Sequence, residues 1–106
     1  MVTIRDKNID DCLQAVADAL AKYEHQHPNA KIEVYRQNSA SVRARIVDPD
    51  FEGLSKAKRH DTVWAFIRDL PEDRQAEISV LLLLTPDELK TSLANYEFDN
   101  PVPSNL

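Results

Sequence analysis

The histidines and the single cysteine are the residues of this 106-residue chain best suited to ligate a metal or attack a substrate, and their spacing gives them modest roles. His60 falls within the apolar face of a helical stretch, which predicts a part-buried ring satisfied by a backbone carbonyl and leaves contact with a partner open. His25 and His27 stand two apart at a helix end, so they point in different directions and are expected to be solvated. Cys12 lies three residues after Ile9 and four before Val16, at the edge of a helix's buried face, where a small core residue is expected rather than a reactive thiol. The run Asp48-Pro49-Asp50-Phe51-Glu52-Gly53 superficially suggests a calcium loop, but counting on places Arg59 where the bidentate glutamate belongs. A turn with solvated carboxylates is expected there, and no metal site. With no Ser/His/Asp ordering and no paired-carboxylate cleft, the chain reads as a non-enzyme. Arg43 and Arg45 share one face of a strand, and Lys56, Lys58 and Arg59 cluster just beyond it. These five cations are the candidates for a phosphate-binding patch.

Whole-chain charge works against that patch. Thirteen basic residues face eighteen acidic ones, for a net charge of −5, so the long-range field repels polyanions. The one glycine, Gly53, excludes a Gly-rich phosphate cradle and a Gly-x-x-Gly nucleic-acid clamp. A lone cysteine excludes an internal disulfide framework and a CxxC pair, which fits a reducing compartment and makes the cytoplasm the expected location. Met1 to Asp6 carries no apolar leader, and the longest apolar run, Val80 to Leu84, is too short to span a bilayer, so a soluble chain without membrane contact is expected.

The elements that must position these residues follow from periodicity. Ile9, Leu13, Val16, Ala17, Leu20 and Tyr23 recur at helical spacing, with Asn8 or Asp10 to cap the start and Pro28 to end it. Lys31 to Arg36 and Ser41 to Asp48 alternate as two strands joined through Gln37-Asn38-Ser39, where Asn38 is the residue best able to take a positive φ. Phe51-Glu52-Gly53-Leu54-Ser55 then turns into a helix capped by Ser55. Ala57, His60, Val63, Trp64, Ile67 and Leu70 form its expected inward side, and Pro71 stops it. After a polar connector, Ile78 to Leu84 is apolar on both faces, as for a covered strand lying parallel beside the second. Thr85-Pro86-Asp87-Glu88 offers a cap, a proline at the first helical position and a capping-box glutamate, which predicts a last helix from Pro86 to about Tyr96. The expected fold class is thus α/β (α+β), ordered α-β-β-α-β-α: a three-stranded mixed sheet with helices mainly on one face, in a single domain over residues 1–96, followed by a flexible tail over residues 97–106.

Ser41-Val42-Arg43-Ala44-Arg45-Ile46-Val47-Asp48, Phe51-Glu52-Gly53-Leu54-Ser55, Arg59-His60, Val63 and the apolar strand leading to Thr85-Pro86-Asp87-Glu88 together resemble the BolA family over about Ile32 to Leu89. The resemblance implies a type-II KH-like fold, no catalytic activity, and binding to a monothiol glutaredoxin through a shared iron–sulfur cluster in redox or iron–sulfur homeostasis. In some members it implies a nucleic-acid-binding transcriptional role, which here is the alternative function. Phe51, Gly53, Arg59 and His60 match the family's turn-helix motif and are the implied partner-binding residues. The hairpin Arg36-Gln37-Asn38-Ser39-Ala40 lacks the family's histidine or cysteine ligand, and its second histidine aligns with Ser79. The expectation is therefore a partner-binding adaptor that has no cofactor of its own and does not hold the shared cluster.

Overall fold

The computed structural model describes residues 1–102, so the last four residues of the expected tail lie outside the described residues. Asp10, rather than Asn8, caps the first helix, α1 (Asp11–Gln26), by accepting from the Leu13 amide at 2.9 Å. Its buried side is Cys12, Leu13, Val16, Ala17, Ala19, Leu20 and Tyr23. Ile9, expected to begin that stripe, precedes the helix and is exposed. The chain then forms β2 (Lys31–Asn38) and β3 (Ser41–Val47), an antiparallel hairpin in which Ile32 pairs with Ile46 and Val34 with Ala44. The turn closes without the positive φ expected of Asn38, since no non-glycine residue among those described has one. A register shift between Arg36 and Asn38 relieves the turn, and the Asn38 side chain accepts from the Ala40 amide at 2.9 Å.

A short 3₁₀ turn (Pro49–Phe51) leads to α2 (Lys56–Ile67), capped by Ser55 as expected. Gly53, at φ +79°, occupies the left-handed region that favours glycine. A small helix, α3 (Glu72–Glu77), fills the polar connector, and β4 (Ile78–Leu84) runs parallel beside β3. The crossover pairing is the expected one. The sheet has four strands in the order β1-β2-β3-β4, because β1 (Thr3–Ile4) adds to β2 in parallel. Two residues are too few to show alternation in the sequence. Among the described residues no helix is long and apolar enough to cross a membrane.

Two expectations about packing are corrected. The predicted last helix is broken: Thr85 to Glu88 do form a capping box, but it opens a 3₁₀ turn (Pro86–Lys90), and a separate helix, α4 (Leu93–Asp99), starts at a new cap, Ser92. The expected tail therefore starts too early, since Glu97 to Asp99 are helical and Phe98 is only 1% exposed. While α1 and α2 bury the Ile32, Val34, Val42, Ala44 and Ile46 face, α4 lies on the other face. There the Phe98 ring meets Tyr35 edge-on at 4.8 Å.

The second correction concerns the rotation of α2. Arg59, Val63 and Ile67 point inward, four residues apart, while His60 is exposed and Trp64 half-buried. Hydropathy alone would put the arginine outside. Here its guanidinium finds carbonyl and carboxylate acceptors and its aliphatic stem packs as an apolar group would.

Candidate functional site

The motif residues divide into those that build the turn and those that remain available. Phe51 is buried beside Tyr23, with ring centroids 6.2 Å apart. Arg59, 5% exposed, lies over the Phe51 ring at 5.6 Å. It donates to the carbonyls of Leu54 and Leu83, both at 3.1 Å, and to Glu88 at 2.6 Å. The Arg59 guanidinium, helped by the Thr85 amide, holds the Glu88 carboxyl down to about 2. Arg59 is thus the internal brace of the turn, and Gly53 and His60 are its exposed motif residues.

His60 is not packed on the sheet as expected. Its ring stacks on Trp64 at 5.3 Å and 13°. With Val63 and Ile67 inward and Phe66 set edge-on against Tyr23 of α1, helical spacing places His60 and Trp64 on the flank of α2 away from α1. That flank lies toward β4, the last strand of the sheet, whose outer edge pairs with no strand among the described residues. Ser79 is exposed on that strand and shares a short hydrogen bond with Ser41. Val80 and Leu82 are half-buried and pair with Arg43 and Arg45, so their side chains lie on the α4 face of the sheet, while Leu81 and Leu83 share the face that α2 covers. The result is an aromatic stack on the flank of α2 toward β4, the strand whose outer edge is open among the described residues.

The five cations proposed for a phosphate patch are not brought together. Arg43 and Arg45 lie on the sheet face covered by α4 and are consumed there. Arg43 donates to Glu97 at 2.5 Å, and Arg45 to Asn95 at 2.7 Å, Asp99 at 2.9 Å and Glu33 at 3.0 Å. Arg45 also lies over the Phe98 ring at 4.8 Å. Arg59 is internal, which leaves Lys56 and Lys58 exposed on α2.

At the positions where the family resemblance calls for cluster ligands, the donors do not form a set. His60 is one imidazole held against Trp64, Ser79 offers a hydroxyl bonded to another hydroxyl, and Arg36 to Ala40 offer no thiolate or imidazole. Burial, then proximity to Glu77, pushes the Cys12 thiol up to about 11, so it supplies no thiolate near neutral pH.

Sequence reasoning missed one constellation. His27 is not solvated: its ring stacks on Tyr23 at 4.1 Å and 11°, and its Nδ1 meets Asp50 Oδ2 at 2.8 Å and Asp48 Oδ2 at 3.5 Å. Nor is Asp48 a solvated turn carboxylate. It is fully buried, accepting from the Tyr23 hydroxyl at 2.6 Å and the Asp50 amide at 2.9 Å. The visible signals were a histidine at a helix C-cap and an Asp-Pro-Asp turn, more than twenty residues apart. Nothing local joins them.

No protein-family model matches the chain. The "UV-induced protein uvi31" of Schizosaccharomyces pombe is 31% identical over 67 residues, which cover 63% of this chain and 66% of that protein. Among solved structures, BolA1 from Arabidopsis thaliana superposes with a TM-score of 0.50 at 21% identity, over 70% of this chain and 94% of that one. That likeness shows a shared mixed α+β fold.

Proposed function

We propose that this chain, a BolA-like protein, is a non-catalytic docking module whose partner is a monothiol glutaredoxin and whose contact surface is the His60–Trp64 flank of α2 beside the open edge of β4. One observation carries the proposal: the exposed imidazole and the half-buried indole are stacked at 5.3 Å, pre-ordered on the flank of α2 toward β4, whose outer edge pairs with no strand among the described residues. Pre-ordered aromatic side chains lose little entropy on association, and tryptophan is enriched among the residues that carry binding energy. The open strand edge supplies backbone donors and acceptors for register. The turn at Gly53, braced from beneath by Arg59, fixes where α2 begins. The module works in the reducing cytoplasm and contributes to redox or iron–sulfur homeostasis by docking, not by ligating a cluster.

Trp64 is the chain's one tryptophan, so it reports on its own surface. Titrating a purified monothiol glutaredoxin free of tryptophan, without cluster, is expected to shift Trp64 emission saturably. His60→Ala is expected to weaken the complex about tenfold, the size of a modest interface anchor. Absence of a complex would remove the glutaredoxin reading. A complex that forms only with a reconstituted cluster, and whose visible circular dichroism changes in His60→Ala, would instead restore a ligand role to His60.

A further inference from the structure

The junction between the end of α1 and the turn after β3 carries a constellation that partner docking does not use. His27 Nδ1, an Asp48 carboxylate oxygen and an Asp50 carboxylate oxygen all lie within 4.8 Å of one another. We propose that these three side chains form a binding site for a divalent transition cation of the zinc class.

The donor set itself sets the class. One imidazole nitrogen and two carboxylates suit zinc and its first-row neighbours, whereas calcium and magnesium call for oxygen ligands, six or more for calcium and an octahedral set for magnesium. Ligands about 2.0–2.2 Å from a tetrahedral zinc stand about 3.3 Å from one another. The 3.5 Å between His27 Nδ1 and Asp48 Oδ2 already matches that spacing. The 2.8 Å between His27 Nδ1 and Asp50 Oδ2 is a direct hydrogen bond that has to open slightly. Asp50, with 58% of its side chain exposed, can make that movement without disturbing the core. The fourth position then faces solvent and takes water.

The fixed half of the site is what separates it from an ordinary surface cluster of acids. Asp48 is wholly buried, with one oxygen oriented by the Asp50 amide and the other by the Tyr23 hydroxyl, and that second oxygen also faces His27. The His27 ring is held parallel to Tyr23, so Nδ1 stays aimed at both carboxylates. Such outer contacts orient metal ligands and are worth tenfold or more in affinity. On binding, the Nδ1 lone pair goes to the ion, and the ring's remaining proton sits on Nε2. The proton that Nδ1 donates to Asp50 in the neutral ring therefore moves, by exchange with solvent, to Nε2. The cation replaces that proton as the link between the two elements.

The test uses the full chain, freed of metal and titrated with zinc alone in a non-coordinating buffer, followed by calorimetry and by the imidazole resonances in NMR. One equivalent is expected to bind, shifting the His27 ring signals while those of His25 and His60 stay in place. Asp50→Asn lies on the exposed side and leaves the core intact; it is expected to weaken binding at least tenfold, and His27→Gln to abolish it. His25→Gln is expected to change nothing. Lack of saturable binding overturns the proposal, as does binding that leaves His27 unperturbed or has equal affinity in Asp50→Asn.

Discussion

Arg59 ties together the Gly53 turn, the end of β4 and the 3₁₀ turn after it, all from one side chain. Removing it strands two carbonyls and a carboxylate around a buried space, so Arg59→Ala is expected to cost about 3 kcal/mol in a urea titration at neutral pH. Glu88 stands on the exposed side of the pair, with 40% of its side chain accessible, so solvent screens its share and Glu88→Gln is expected to cost only about 1 kcal/mol. The pH dependence has a definite sign. The folded-state value of Glu88 is depressed to about 2 by Arg59, and that of Asp10 to about 2 by Arg36. Stability from both pairs is therefore complete above the unfolded carboxylate range and is lost as pH falls from there toward about 2. Urea midpoints at pH 7 and pH 3 are expected to differ less in Glu88→Gln than in the parent. An equal loss would mean that Glu88 is not held by Arg59.

At the scale of elements, α4 changes what the strand arginines are for. Arg43 and Arg45 looked like a basic face because a sequence shows which residues share a strand face but not what covers it. Their partners, Asn95, Glu97 and Asp99, come from a helix about fifty residues later, and Phe98 lies between Tyr35 and Arg45. Phe98→Ala is accordingly expected to cost about 3–5 kcal/mol, as for any fully buried aromatic, and to loosen α4 from the sheet. A cost under about 1 kcal/mol in urea would show that α4 is not part of the cooperative unit. What was legible in the sequence follows the same division. The α1 stripe from Leu13 onward, the hairpin alternation and the Ser55 cap are set by local periodicity and capping, and the parallel β4 by the length of its helical connection, and the structure has them. The inward turn of Arg59, the passage of α4 to the second face and the meeting of His27 with Asp48 depend on partners distant in sequence. No local pattern encodes those.

For the whole molecule, charge and its placement decide the nucleic-acid alternative. A net charge of −5 sets an unfavourable field, and three of the five cations considered for a phosphate patch, Arg43, Arg45 and Arg59, are occupied by carboxylates. Arg5, Arg36, Arg43, Arg45 and Arg59 each face a carboxylate, on both sides of the sheet and inside it. Of the five residues first considered for phosphate contacts, only Lys56 and Lys58 remain exposed, both at the start of α2. Two lysines neutralise at most two phosphates, which limits the slope of log K against log salt to about −1.8 on duplex DNA. Specific binding at physiological salt rests on several more contacts than that. Fluorescence anisotropy with mixed duplex and single-stranded probes is therefore expected to show no saturable binding at micromolar protein, even in low salt. Binding with a slope several times steeper, lost in Arg43→Gln or Arg45→Gln, would require α4 to leave the sheet and release both arginines. The same variants would then lower the affinity of the chain for the probe as well as its stability, so the anisotropy and the urea midpoint would move together. Expected instead is a stability loss in the two arginine variants with the anisotropy flat throughout, because their charges are already spent on holding α4 in place.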